Sequence, residues 1–160
     1  MSSSSIRRQS ASAALSLVVA GLAGFPCPGS AATPVARIGR DNLVKLEVAA
    51  TEQEIERGLM YRTELPEQNG MVFLFNPPRK VNFWMYHTLI PLDMLFIKDG
   101  KIVRLFQNVP PCKSEDPRGC ATYPAGDGIE VTEVVELAGG YAQRHGVKEG
   151  DPVSFELPGR

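Results

Sequence analysis

The chain has 160 residues, 43% of them hydrophobic and 22% charged, which suits one ordinary domain and leaves no room for two. Its 17 basic and 18 acidic residues give a formal net charge of -1. That balance argues against nucleic acid as a partner, because a polyanion-binding surface needs a basic surplus.

Residues 1–32 read as an export signal. Met1 to Ser10 is polar and contains Arg7 and Arg8, Ala11 to Phe25 is apolar or small, and a Pro/Gly/small stretch ends in Ser30-Ala31-Ala32. This is the order of a positive n-region, an apolar h-region and a small-residue cleavage site. The apolar run is shorter than the roughly 20 residues of a spanning helix. The expectation is therefore cleavage after Ala32 and a periplasmic or secreted domain over residues 33–160. A membrane attachment would arise only if this segment were kept as an anchor. Losing Arg7 and Arg8 leaves 15 basic against 18 acidic residues, a net charge of -3.

Cys27 would leave with the signal, so Cys112 and Cys120 remain. Two cysteines in an oxidising compartment are expected to pair. Closing this short loop is worth about 2.6 kcal/mol in chain entropy. With no histidine nearby they make a poor tetrahedral metal set.

In chain order, Asn42–Ala49 reads as a strand, with Val44, Leu46 and Val48 alternating against Lys45 and Glu47. Thr51-Glu52-Gln53-Glu54 is a capping box, and it opens a short helix in which Ile55 and Leu59 share a face. Met71–Phe75 is a continuous apolar run, read as a strand buried on both faces and stopped by Asn76-Pro77-Pro78. Val81, Phe83 and Met85 share one face of the next strand, with Asn82, Trp84 and Tyr86 on the other. Asp93–Lys98 and Lys101–Gln107 form a hairpin across Asp99-Gly100, a type I′ signal. Val131–Leu137 is a further strand. Tyr141–Val147 is one helical turn or two, and Val153, Phe155 and Leu157 alternate in a last strand. The predicted fold is mainly β, an antiparallel sandwich or barrel-like sheet of about seven strands with one or two short helices.

The common catalytic motifs are absent: no P-loop, dinucleotide fingerprint, H-E-x-x-H or G-x-S-x-G occurs. What stands out is the series R-G-L-M-Y-R (Arg57–Arg62), G-M-V-F-L-F (Gly70–Phe75), F-W-M-x-x-T (Phe83–Thr88) and I-P-L-D-x-x-F-I (Ile90–Ile97). A Pro-Pro-Cys…Cys-x-Thr-Tyr-Pro loop follows, then V-V-E-L-x-x-G and H-G-V-K-x-G-D. In order and spacing these blocks resemble the DUF192 (UPF0127) family of uncharacterised proteins over roughly Leu43 to Leu157. The resemblance implies a compact, mainly β domain, often exported, and no settled activity. One position departs: the family typically has Asn where this chain has His87.

Among the polar residues, Asp93 heads an apolar strand and needs a partner or water. It reads as a structural ion pair, for which Arg57 and Arg62 are the obvious cations, or a hydrogen-bond clamp, with a ligand-binding or acid/base carboxylate as the alternatives. Trp84 is either core or a stacking surface, and His87 sits where a strand gives way to a turn. His145 reads as a helix-end cap. The four methionines after Met1 read as core filler rather than soft-metal ligands. No cofactor and no metal is expected.

The leading functional reading is an exported binding or interaction module. Its cleft would lie near Trp84, His87 and Asp93 with Arg57 and Arg62, and its partner would be a small molecule, a glycan or an envelope protein. A second reading is a hydrolase or lyase using Asp93 and His87 as an acid/base pair, which requires the two within hydrogen-bond reach or one water apart. A third is a structural or assembly factor of the cell envelope, which predicts an exposed apolar patch.

Overall fold

The computed structural model describes residues 32–157. The export signal expected over residues 1–32 lies, apart from Ala32, outside the described residues, and so does Cys27. Nine strands are present among the described residues: β1 (Val35–Ile38), β2 (Asn42–Ala49), β3 (Asn69–Arg79), β4 (Asn82–Trp84), β5 (Leu92–Lys98), β6 (Lys101–Val109), β7 (Thr122–Pro124), β8 (Val131–Ala138) and β9 (Val153–Glu156). Two short α-helices, α1 (Glu52–Arg57) and α2 (Tyr141–Arg144), and a single 3-10 turn over Pro117–Gly119 accompany them.

Seven strands form one curled sheet in the order β6-β5-β8-β3-β2-β1-β9, while β4 and β7 pair separately. The sheet curls until its edges meet at one end. There the Ile102 amide donates to the Asp151 carbonyl (3.0 Å), the Gly150 amide to Ile102 (2.8 Å) and the Val153 amide to Gly100 (2.8 Å). The expected barrel-like, mainly β architecture is thus a half-barrel. One pair departs from the antiparallel expectation: β2 and β3 run parallel. Helix α1 is the reason, because a crossover between them returns the chain to its starting end.

Period-2 alternation divides the apolar side chains between two cores. All seven strands of the large sheet contribute to the concave one, with Val44, Leu46, Val72, Leu95, Ile97 and Val135 among its members. Helix α2 plugs it with Tyr141 and Ala142. The second core lies on the other face of β3, β5 and β8, where Phe73, Met94, Phe96 and Val134 are covered by α1 and the β4–β7 ribbon. Edge-to-face aromatic contacts bind this layer together: Phe73–Phe83 at 4.9 Å, Phe83–Phe96 at 5.6 Å, Phe96–Phe106 at 5.8 Å and Phe106–Tyr123 at 5.2 Å. Three of the four methionines after Met1 (Met71, Met85 and Met94) are core residues here.

The capping box forms as read. The Glu54 amide donates to Thr51 Oγ1 at 3.3 Å, and Glu54 Oε2 accepts from the Thr51 amide at 2.9 Å. The strand predicted over Met71–Phe75 runs on to Arg79, past the prolines expected to stop it, with its register against β8 broken between Leu74 and Arg79. Gly70 permits the tight start of β3, since a Cβ there would lie 2.6 Å from the Glu136 carbonyl oxygen.

Cys112 and Cys120 form a disulfide with Cα atoms 5.6 Å apart. The loop it closes leans on the ribbon: the Cys112 amide donates to the Met85 carbonyl (3.3 Å) and the Tyr86 hydroxyl to the Glu115 carbonyl (3.2 Å). Replacing both cysteines by alanine is expected to cost about 2.6 kcal/mol. For a domain of this size that lowers Tm by roughly 10 °C, measurable by calorimetry. An unchanged Tm would mean that the loop is ordered without its bridge.

Candidate functional site

A cleft of about 190 Å³ opens between α1, the β4 ribbon and β8. Its walls are Ile55, Leu59 and Met60 from α1 and its exit, Phe73 from β3, and Phe83, Trp84 and Tyr86 from β4 and the turn after it. Asn82 and Thr88 add polar groups, Glu56 and Arg57 line it from the exposed side of α1, and Glu136 of β8 completes it. Gly58 lets the chain pass close over the Phe73 ring: its φ is +44°, and a Cβ there would lie 3.2 Å from Phe73 Cζ and 3.9 Å from Glu136 Oε2.

Glu136 is the chemically unusual member. Strand β8 lies between β3 and β5, and Glu136 stands in register with Met71 on one side and Met94 on the other. Alternation places it on the aromatic face with Val134, while Val135 and Leu137 enter the concave core. Glu136 is only 5% exposed. Among the described residues its carboxyl has neither a hydrogen-bond partner nor an ion pair, and its oxygens meet solvent only through the cleft. Burial pushes its pKa up to about 8, so the carboxyl is mostly protonated at neutral pH.

Beside the cleft runs an aromatic ledge. Tyr61 stacks on His87 (centroids 4.8 Å apart), His87 lies against Tyr86 (3.8 Å), and Tyr86 against Trp84 (5.8 Å). Tyr61 and His87 both have left-handed backbones, with φ of 64° and 54°. The Tyr61 amide donates to the His87 carbonyl at 2.8 Å and clasps the two together. Tyr61 is 61% and Trp84 37% exposed, so the ledge faces solvent.

Of the residues singled out from sequence, Arg57 and Trp84 line the cleft and His87 lies on the ledge. Arg62 borders a neighbouring hollow. There it makes a two-pronged ion pair with Glu47, at 2.5 and 2.6 Å, which holds the Glu47 carboxyl below its ordinary range. Asp93 is elsewhere. It is 0% exposed and points to the concave side, where Oδ1 accepts from the Asn108 and Gly140 amides (2.6 and 2.8 Å) and Oδ2 from the Ala142 amide (2.6 Å).

Of the two structural readings of Asp93, the hydrogen-bond clamp is the one that forms, with backbone amides as donors, and the ion pair with Arg57 or Arg62 is corrected. Helix α1 covers one face of the sheet, and Asp93 leaves β5 on the other. For the same reason Asp93 and His87 are not paired: no hydrogen bond among the described residues joins them. Asp93 instead caps α2 from a distance, because Gly140 at that helix's N-cap has no side chain to do so. His145 closes the other end of α2, stacked on Tyr141 (4.1 Å) with Nε2 3.1 Å from Glu67 Oε1.

Sequence reading did not single out Glu136. The signal was an acidic residue inside the apolar strand Val131–Leu137, within the V-V-E-L block. Arg57–Met60, Phe83–Trp84 with Thr88, and Glu136 come from three separated blocks of the resemblance, and they meet in one cleft. A larger hollow of about 780 Å³ lies beside β9 and the Asp99-Gly100 turn, but no buried titratable side chain lines it among the described residues.

No curated protein matches the chain. Solved structures do resemble it, among them two from bacteria. One is from Sinorhizobium meliloti 1021 and is provisionally described as a transcription regulator. It has 36% sequence identity and a TM-score of 0.68, over 79% of this chain and 95% of that one. The other, a protein of unknown function from Novosphingobium aromaticivorans DSM 12444, has 35% identity and a TM-score of 0.66, over 85% of this chain and 94% of that one. The profile of DUF192, a family described only as an uncharacterized ACR, matches residues 35–155, the span that holds the half-barrel and the cleft, and the chain belongs to that family.

Proposed function

We propose that this domain is an exported binding module whose recognition site is the aromatic cleft over Glu136. One observation carries the reading: a buried carboxyl without a protein partner forms part of an aromatic-walled cavity. The carboxyl oxygens are reached only from the cleft, and a largely buried ionisable group costs stability when charged; such groups gather at functional sites. The cavity is smaller than the about 300–1,000 Å³ of sites for drug-sized ligands, so it takes one side-chain-sized group. The ledge of Tyr61, His87, Tyr86 and Trp84 offers a surface for the rest of a larger ligand. Export is supported by the composition of residues 1–32 and by the Cys112–Cys120 pair. Regulation of transcription, named for the Sinorhizobium protein, is not carried over, because the acidic surplus disfavours nucleic acid.

Trp84 is the only tryptophan of the chain, so its emission reports directly on the cleft. The test is a screen of small amines, alcohols, carboxylates and amides against the full-length chain, read by Trp84 fluorescence and thermal shift. At least one class should change the emission saturably and raise Tm, and Trp84→Ala should abolish the Tm rise. A screen in which no class does so overturns the reading.

A further inference from the structure

We propose that the group this cleft takes is a primary ammonium on an apolar stem, its charge meeting the Glu136 carboxylate and its methylenes lying between Phe83, Trp84 and Tyr86. The inference rests on the cleft being the binding site and names the chemistry of its ligand.

Three features of the cavity select this group. The first is the unpartnered carboxyl, whose oxygens open only onto the cleft; a small ligand cation can supply there the opposite charge that no neighbouring side chain does. The second is the wall of Phe73, Phe83, Trp84 and Tyr86. Aromatic faces attract cations and pack equally well against methylenes. The third is size. About 190 Å³ admits a compact ammonium with its three donors, and Asn82 and Thr88 offer oxygens besides those of Glu136.

The groups around Glu136 leave that role open. Helix α1 brings Glu56 and Arg57, both exposed and opposite in charge. Strand β4 and the turn after it bring Asn82, Phe83, Trp84 and Tyr86. Strands β3 and β5 set Met71 and Met94 beside it. An anionic ligand would instead have to share the proton of a carboxyl in a cleft whose one cation among the described residues, Arg57, lies on the exposed side.

Binding then releases a proton. The empty site holds Glu136 as the acid, the bound site holds it as a carboxylate against the ammonium, and the proton leaves to solvent. With the empty carboxyl titrating at about 8, affinity should tighten about tenfold per pH unit below that value, or roughly fiftyfold from pH 6 to pH 8. An alkylammonium, with an ordinary pKa of about 10.4, stays charged throughout.

The experiment titrates the full-length chain with Nα-acetyl-lysine N-methylamide, its uncharged norleucine counterpart, n-butylamine, n-butanol and butyrate. Trp84 emission gives Kd at pH 6, 7 and 8, and calorimetry in buffers of different ionisation enthalpy counts protons. The expected result is ammonium probes at least tenfold tighter than their neutral and anionic counterparts, with nearly one proton released at pH 7. Glu136→Gln should lose the pH dependence and the preference while keeping whatever affinity the norleucine compound has. Equal binding of n-butylamine and the lysine compound assigns the ammonium to a free amine; at least tenfold tighter binding of the lysine compound assigns it to a peptide. Equal affinity for the norleucine compound, or affinity falling as pH rises, overturns the ammonium assignment and leaves the cleft standing. No change in Trp84 emission with any probe, together with a silent wider screen, overturns both.

Discussion

Asp93→Ala is expected to lower the free energy of unfolding by about 5 kcal/mol, because it removes three hydrogen bonds to a charged acceptor at about 1.5–3 kcal/mol each and strands their buried donors. The donors are the amides of Asn108, Gly140 and Ala142. They belong to the end of β6 and the start of α2, so a single carboxylate joins three parts of the chain. Little else could replace it. Helix α2 has four residues, too few to hold itself together, and its N-cap is a glycine. Close packing allows no easy relaxation either, since a Cβ on Gly139 would lie 2.8 Å from both Asn108 Oδ1 and Pro91 Cβ. Asp93→Asn should cost about half as much. Its oxygen can still accept two amides, but its NH2 group then faces a third donor, from Ala142. Urea unfolding measures both variants, and hydrogen exchange at the Gly140 and Ala142 amides localises the loss. A cost under about 1 kcal/mol for Asp93→Ala would show that the clamp is dispensable. Because Asp93 faces away from the cleft, Asp93→Asn should keep any ligand-induced change in Trp84 emission. That separates a structural role from a recognition role.

How far the sequence discloses this architecture depends on whether the signal is local. Strand β2 lies where alternation put it, Asn42–Ala49. The Asp99-Gly100 hairpin has positive φ at both residues (49° and 69°), as its type I′ signal requires. Thr51 to Glu54 encode their capping box within four residues. Strands β1 and β7 escaped notice because they have four and three residues, and β7 ends in proline. Their existence depends on pairing with β2 and β9, and with β4. The parallel β2–β3 pair escaped for the same reason, since strand direction is a property of the assembled sheet. For Asp93 the sequence leaves ion pair and hydrogen-bond clamp open, because backbone amides have no signature in sequence, whereas Arg57 and Arg62 do. Glu136 is the sharpest case. An acidic residue in a strand is ordinary if its face is wet, and only the central position of β8 under α1 and the ribbon covers that face down to the cleft. At His87 the backbone is left-handed, a conformation that His and the Asn implied there by the resemblance both enter more readily than most residues.

Glu136→Gln is expected to make the protein more stable, by about 3 kcal/mol at pH 7 and about 5 kcal/mol above pH 8. The folded carboxyl keeps its proton up to about pH 8, whereas in the unfolded chain it ionises near 4.5. Between those values the folded state binds more protons, so stability falls as pH rises, by up to about 1.4 kcal/mol per pH unit. The advantage of the protonated carboxyl is therefore complete below about pH 4.5 and gone above about pH 8. Glutamine has nearly the same shape and no charge to desolvate, so its contribution is flat across that window and equals that of the acid form at the low end. Urea unfolding of both proteins at pH 5, 6, 7, 8 and 9 tests this directly, as the difference between them should open steadily from pH 5 to pH 8 and then level off. Parallel profiles would mean that water or a neighbour solvates the carboxylate as well as bulk solvent does, removing the physical reason for assigning Glu136 a ligand. The expected divergence has a functional meaning. A glutamine at this place in β8 would fit the same space between Met71 and Met94 and stabilise the fold, yet the chain carries the titratable group. A carboxyl held at a stability cost beside an aromatic cavity is what a site needs if its ligand, and not the protein, is to provide the opposite charge.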